Sequence, residues 1–271
     1  MRPIEQLLKP HPDRDGSFRW RGDGVSRIEG LSDAVFGFGL ALLVASLGVP
    51  RTYADLTKML VSFPAFAATF GLLIAIWSAQ YKFFRRYGLE DAQTIRLNVV
   101  LLLVVVFYVY PLMFLFNTFI ALWLGMIGFA LRIQPIIDQA REAQRALKPE
   151  QWPAVMVVFG AGYVAVFAVF ALLHRHALRR AEELRLDALE TLETRYAIRE
   201  HLLKASVAVF SVTITLVLTY GVGWPPSFAG MVGGFSYALT GPVMSFHFRG
   251  VKRARQALAG TPVTVEPVAA S

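Results

Sequence analysis

The chain has 271 residues, of which 55% are apolar and only 17% are charged. Soluble domains are roughly 45–50% apolar and lack long apolar runs, so this composition indicates an integral membrane protein. The absence of cysteine excludes disulfide frameworks, thiolate metal sites and cysteine nucleophiles. The net charge is +8, and basic residues that flank apolar runs set the orientation of membrane helices, so we interpret this charge as a topology signal rather than a sign of nucleic-acid binding.

A polar leader, residues 1–26, precedes the first apolar run and lacks the apolar stretch of a secretory signal peptide. After it come runs that are long enough to cross about 30 Å of hydrocarbon, which takes about 20 residues in a helix. They cover residues 31–49, 60–80, 97–117, 153–173, 205–222 and 227–248. The sequence therefore predicts an all-α membrane protein with six transmembrane helices in one membrane domain, residues 27–250.

The third run stays apolar as far as Leu131, too long for one crossing and too short for two with a turn. A seventh span there would place the Arg-rich segment 174–204 outside the cell, against the positive-inside rule. With six spans and both termini in the cytoplasm, the external side keeps only Arg51, Lys58, Arg132, Arg141, Arg145 and Lys148. We therefore expect residues 118–131 to be a long extension of the third helix, bent near Pro111, or an interfacial piece.

The hydrophilic segments between the spans also have predicted conformations. Residues 132–152 are expected to form a short external helix and turn. Residues 174–204 mix charges with regularly spaced leucines, so we expect the fourth and fifth spans to continue into the cytoplasm as helices. Residues 251–271 are predicted to be a disordered cytoplasmic tail.

The first span begins with an unusual polar stretch that ends in Ser32 and Asp33. A carboxylate at the centre of a membrane helix costs about 2.5 kcal/mol or more, and less near its end. In one interpretation Ser32 and Asp33 cap the helix and Arg27 lies among the headgroups. In the other, Arg27 and Asp33, about 240° apart around the helix, reach different neighbouring helices or subunits.

This stretch resembles the signature R-x-x-x-F-S-D of the potassium channels called transmembrane protein 175, which are lysosomal in animals and have single-repeat bacterial relatives. Arg27, Ser32 and Asp33 match the signature, and Leu31 replaces its phenylalanine.

Two further motifs, together with the six-span count and the Arg-rich connection between the fourth and fifth spans, extend the resemblance over most of residues 20–250. The end of the second span, "IAIWSAQYKFF", has the tryptophan and phenylalanine of a family motif, with Gln80 and Tyr81 in the place of two histidines. The start of the third span, "RLNVVLLLVVVFYVYP", has the family's asparagine and proline in register, at Asn98 and Pro111.

The resemblance implies a potassium-permeable channel of four identical subunits, with the first helix of each lining a central pore. It places the hydrophobic constriction at Phe38, followed on the same face by Ala41 or Leu42 and then by Ala45. The family often has isoleucine or leucine at the first of these positions and threonine three residues later, so Phe38 is bulkier and Ala41 lacks a hydroxyl. The resemblance also implies an inter-helix polar network formed by Arg27, Ser32, Asp33, Trp77 and Asn98.

Two other functions stay open from the residues alone. A secondary transporter would use a polar site at the bilayer midplane and broken helices, which Pro64, Pro111 and Pro242 would allow. A structural membrane subunit would conduct nothing.

Motifs for hydrolases, zinc proteases and nucleotide binding are absent from the sequence, so we expect neither an enzyme nor a cofactor or bound metal. The expected partners are further copies of the chain, membrane lipid and permeant monovalent cations such as K⁺, without nucleic acid. The expected location is the bacterial plasma membrane.

Overall fold

The computed structural model describes residues 18–22 and 24–259. Within these ranges the chain folds into α-helices joined by short turns. We number them α1 (Arg27–Ala45), α2 (Tyr53–Tyr87), α3 (Ala92–Leu131), α4 (Gln134–Ala146), α5 (Trp152–Arg179), α6 (Ala188–Leu216), α7 (Pro226–Ser236) and α8 (Thr240–Ala259). The predictions for most of the polar leader and for residues 260–271 lie outside the described residues.

Five helices in the described part of the chain are long and apolar enough to cross a membrane. They are α1, α2, α3, α5 with the short turn before it, and α6 with a π-helical turn at its end, and they correspond to the first five predicted spans. The sixth predicted span, 227–248, is divided into α7, a 3₁₀ turn at Tyr237–Leu239 and the start of α8. Because α8 continues to Ala259, residues 251–259 of the predicted tail are helical instead of disordered.

Helix α1 begins at Arg27, one turn earlier than predicted. Ser26 is its N-cap: the Ser26 hydroxyl accepts a hydrogen bond from the Glu29 backbone N–H at 3.2 Å, and the Glu29 carboxylate accepts one from the Ser26 N–H at 2.8 Å. This capping box satisfies the free N–H groups of the first turn. Ser32 and Asp33 lie in the second turn, so the interpretation that they cap the helix is wrong.

The same helix ends at Ala45, four residues before the predicted boundary at Val49. Gly48 adopts a positive φ of 69°, a conformation that suits glycine and ends the helical path. Pro50 follows and does not continue a helix. The apolar character of residues 46–49 therefore belongs to a turn.

Helix α3 is one continuous helix of 40 residues that passes through Pro111. Residues 118–131 are thus the predicted extension of the third helix and not a separate piece. The short helix α4 packs on this extension so closely that a Cβ added at Gly125 would lie 2.4 Å from the Cβ of Ala140. Lys58 of α2 forms an ion pair with Glu142 of α4 at 2.7 Å, which connects α4 to a second helix.

One apolar core holds α1 against α2, α3 and α5. Helix α1 contributes two buried side chains, Phe36 and Leu43. The same cluster contains buried residues of the other three helices, including Leu73, Ile76, Leu101, Val105, Val109, Phe170 and Leu173.

The end of the bundle where α2 and α5 finish and α3 and α6 begin is called the Arg-rich end below. Asp91 connects its parts, because its side chain accepts hydrogen bonds from backbone N–H groups of α3, from His176 and from Arg180, the last two at 2.9 Å. Burial raises the pKa of Asp91, but these hydrogen bonds and one from Thr94 outweigh it and hold the pKa well below its usual range. The carboxylate therefore stays charged at neutral pH.

The last residues before α1 are attached to this end of the bundle. Phe18 is buried and lies edge-on to Tyr87, with ring centroids 5.4 Å apart. Arg19 and Arg21 both bind the carboxylate of Glu190 near the start of α6, at 2.9 and 2.6 Å, and only 1% of Glu190 is exposed. We call this contact the leader clamp. It connects the chain that enters α1 to the first turn of α6.

Candidate functional site

A chain of hydrogen bonds between buried side chains joins α1, α2 and α3. Asn98 of α3 is fully buried, and its amide nitrogen donates to the Ser32 hydroxyl of α1 at 2.9 Å. The Ser32 hydroxyl donates in turn to the Ile28 carbonyl at 2.7 Å. On the other side, the Gln80 amide of α2 donates to the side-chain oxygen of Asn98. Each of these polar groups is therefore paired inside an otherwise apolar bundle.

A second set of contacts joins α1 to α2 beside this chain. The indole N–H of Trp77 donates to the Asp33 carboxylate at 2.7 Å. Trp77 also stacks on Tyr81, with ring centroids 5.8 Å apart. One turn before Asp33, the Glu29 carboxylate lies 3.7 Å from the guanidinium of Arg85. We call these two sets of contacts together the polar cluster.

The polar cluster fixes the rotation of α1 about its own axis. Hydrogen bonds between membrane helices contribute about 0.6–2 kcal/mol each, and a buried donor or acceptor without its partner costs about 1–3 kcal/mol. A shift by one residue along the helix would turn α1 by about 100° and separate Ser32 from Asn98. The cluster therefore selects which face α1 presents to its surroundings.

The structure brings together four of the five residues predicted for the network, namely Ser32, Asp33, Trp77 and Asn98. The fifth, Arg27, is exposed. It forms no hydrogen bond or ion pair with any of the residues that the structure describes, 18–22 and 24–259. Sequence reasoning missed Gln80, which is 2% exposed and bonds to Asn98. The sequence does contain an indication of its role, because Gln80 is an amide within an apolar span at a position where the family motif has a histidine.

The face of α1 opposite the polar cluster is exposed and almost entirely apolar. Its members recur every three or four residues, which places them along one side of a helix. They are Gly30, Leu31, Ala34, Gly37, Phe38, Ala41, Val44 and Ala45. We call them the exposed face.

Phe38 is the largest side chain of the exposed face, and 57% of it is exposed. Its neighbours one and two turns further on, Ala41 and Ala45, are exposed as well. Leu42 differs from them, because it is half-buried and packs against the core. Phe38 is thus the one aromatic ring among the residues of the exposed face, and its neighbours about one turn away on that face are Ala34 and Ala41.

The site provides positions and shape rather than ligands for a tightly bound ion. Within the described ranges, no group of three or more His, Asp or Glu side chains is placed to hold a metal ion. The exposed face itself carries no titratable side chain beyond its first turn. Chemically, this arrangement can form an apolar surface of fixed orientation, with the charged groups Arg27 and Asp33 at one end.

Comparison with known proteins gives consistent matches. The family model described as "Endosomal/lysosomal potassium channel TMEM175" matches residues 27–108, which include every residue of the polar cluster. A potassium channel of Marivirga tractuosa is 35% identical over 229 residues, which cover 84% of this chain and 88% of that protein.

A solved structure is similar over nearly the whole chain. It is the crystal structure of a variant of the potassium channel MtTMEM175 in complex with a nanobody–MBP fusion protein. The TM-score is 0.72 at 35% sequence identity, and the match covers 87% of this chain and 97% of that chain.

Proposed function

The chain belongs to the TMEM175 potassium channel family, and from this premise we propose that four copies of it form a potassium-permeable pore lined by α1. As a member of a channel family it is an integral membrane protein and not an enzyme. The observation that carries the proposal is the two-sided character of α1. One side is fixed to its own subunit by polar contacts, and the other is apolar and exposed.

Four copies of the exposed face around one axis would form a hydrophobic neck. The ring of Phe38 projects furthest from the face, so four rings would make the narrowest point, able to gate by dewetting. Ala41 and Ala45 would line the wider path beyond it. Leu42, half-buried in the subunit, would contribute beside the path. Small residues such as Gly37 and Ala34 allow neighbouring helices to approach closely.

Arg27 and Asp33 have a second role in this assembly. Arg27 lacks a partner among the residues described for one subunit, and the Asp33 side chain stays exposed although Trp77 bonds to it. An unpaired charge beside hydrocarbon is unfavourable. We infer that these two groups complete their contacts on neighbouring subunits at one end of the pore.

The proposed topology has six crossings in a domain of residues 27–250. In this topology α7 and the start of α8 together form the sixth crossing, with the 3₁₀ turn at Tyr237–Leu239 inside it. Most Lys and Arg residues lie on the side of the proposed membrane domain that contains the Arg-rich end. The positive-inside rule therefore favours a cytoplasmic location for this end and for both termini. The proposed location is the bacterial plasma membrane.

Purified protein in planar bilayers is expected to give ohmic single-channel currents. When a large organic cation replaces part of the K⁺ on one side of the bilayer, the reversal potential should approach the equilibrium potential of K⁺. Current that saturates and requires exchange of substrate would favour a secondary transporter instead. Absence of current under conditions in which a known channel gives current would contradict the proposal.

Crosslinking of the detergent-solubilised protein is expected to give species of up to four subunits. The reason is geometric, since a single α1 cannot enclose a path and several copies are needed to surround one. The control is the same reaction after denaturation in SDS, which should give monomer alone. If crosslinking of the native protein gave monomer alone, the pore proposal would be wrong.

A further inference from the structure

A polar cavity of about 370 Å³ lies at the Arg-rich end, apart from α1 and the polar cluster. It is enclosed by the ends of α2 and α5, the first half of α6, and α8. Its polar lining includes Lys82, Arg86, Glu193, Glu200, His201 and Arg255. The proposed pore uses none of these residues.

The acidic residues of this cavity are already neutralised by partners of their own. The Glu193 carboxylate accepts a hydrogen bond from Arg255, and the Glu200 carboxylate accepts one from Lys204 at 2.5 Å. Lys82 is exposed and forms no hydrogen bond or ion pair with any other residue that the structure describes. With the carboxylates paired, the described residues leave the charge of Lys82 without a counter-charge in the cavity.

His201 adds a buried polar atom without a partner. It is 6% exposed and stacks on Phe170, with ring centroids 5.1 Å apart and an interplanar angle of 18°. Its Nδ1 has no hydrogen-bond partner among the residues that the structure describes, although buried polar atoms in proteins are almost always paired. The neighbouring His174, 5.0 Å away between centroids, is satisfied, because its Nδ1 donates to the Phe170 carbonyl at 2.8 Å.

We propose that this cavity binds the phosphate group of an anionic ligand. A lysine ammonium is a compact charge that commonly binds phosphate, and His201, with its unpaired nitrogen, belongs to the same lining. Basic pockets between membrane helices on the cytoplasmic side bind acidic lipid headgroups, and the distribution of Lys and Arg favours that side for the Arg-rich end. The phosphate can therefore come from an acidic phospholipid or from a soluble phosphate compound.

The test measures the melting temperature of the purified protein in detergent against ligand concentration. The probes are dioctanoyl phosphatidylglycerol, dioctanoyl phosphatidylcholine and inorganic phosphate, at constant ionic strength because surface charges are screened by salt. Saturable stabilisation by phosphatidylglycerol alone assigns the site to an acidic headgroup. Saturable stabilisation by inorganic phosphate assigns it to soluble phosphate.

Two variants connect the binding to this cavity. Lys82→Gln should weaken the apparent affinity about fivefold, as expected for loss of one cation near the membrane surface. His201→Phe keeps an aromatic ring on Phe170 and removes the nitrogen, and it should also weaken binding. The matched control is Lys252→Gln, an exposed lysine of α8 outside the cavity lining, which should leave the affinity unchanged.

Two results would overturn the proposal. One is that neither phosphatidylglycerol nor inorganic phosphate stabilises the protein saturably. The other is that Lys252→Gln weakens binding as much as Lys82→Gln, because the effect would then be one of general surface charge. Neither result depends on whether the protein conducts, so the pore and the cavity are tested separately.

Discussion

Replacing Phe38 by alanine is expected to raise the single-channel potassium conductance by roughly tenfold, which corresponds to about 1.4 kcal/mol less barrier at the neck. Phe38 is the only large ring on the exposed face of α1, and its neighbours along that face are mostly alanine and glycine. Without four rings the neck would be wide enough to stay wet. Planar bilayer recording of the variant beside the original protein measures the change.

The matched control for this experiment is Phe107→Ala. Phe107 of α3 is also a strongly exposed phenylalanine, 66% exposed in the subunit, but it lies outside the α1 face. Its replacement should leave the conductance unchanged. If Phe38→Ala left current and ion selectivity unchanged as well, the narrowest point would lie elsewhere and the proposed role of Phe38 would be wrong.

Replacing Asn98 by leucine is expected to destabilise the protein by about 3 kcal/mol, because it leaves the buried side chains of Ser32 and Gln80 without their partner. The melting temperature in detergent should fall by several degrees. The same change releases the rotation of α1, so channel currents should become small and heterogeneous. Both readouts come from one purified preparation.

Arg27→Ala distinguishes contacts within a subunit from contacts between subunits. Because Arg27 binds none of the residues described for its own subunit, its loss should shift the proposed tetramer towards monomer without lowering the melting temperature of the monomer. Arg96→Ala is the control, since Arg96 is exposed at the same end and bonds to its own helix backbone. An Arg27→Ala oligomer as heat-stable as the original would argue against an inter-subunit contact there.

The sequence was sufficient for the broad architecture and for much of the polar cluster. Long apolar runs predict membrane helices because hydrocarbon leaves the backbone few other ways to satisfy its hydrogen bonds. The meeting of Ser32, Asp33, Trp77 and Asn98 was implied by the family resemblance, because the residues alone left a helix-capping role for Ser32 and Asp33 open. The structure places Trp77 against Asp33 and Asn98 against Ser32.

Features that depend on three-dimensional packing were not predictable in the same way. Apolar composition does not show that Gly48 turns the chain and ends α1 early. It also does not show that a 3₁₀ turn divides the sixth run, because that turn leaves the hydrophobic pattern unchanged. Gln80 differs from both cases. An amide in an apolar span already indicates a hydrogen bond, and only the identity of its partner, Asn98, required the structure.

The leader clamp has a mechanical consequence. Arg19 and Arg21 hold Glu190 only a few residues before α1 begins, and the backbone N–H of Arg21 donates to the Arg85 carbonyl at 2.9 Å. The leader clamp joins the first turn of α6 to residues shortly before α1, so we expect a displacement of that turn to shift the start of the proposed pore helix. A ligand or partner that moves the Arg-rich end would, through this contact, also act on the proposed constriction.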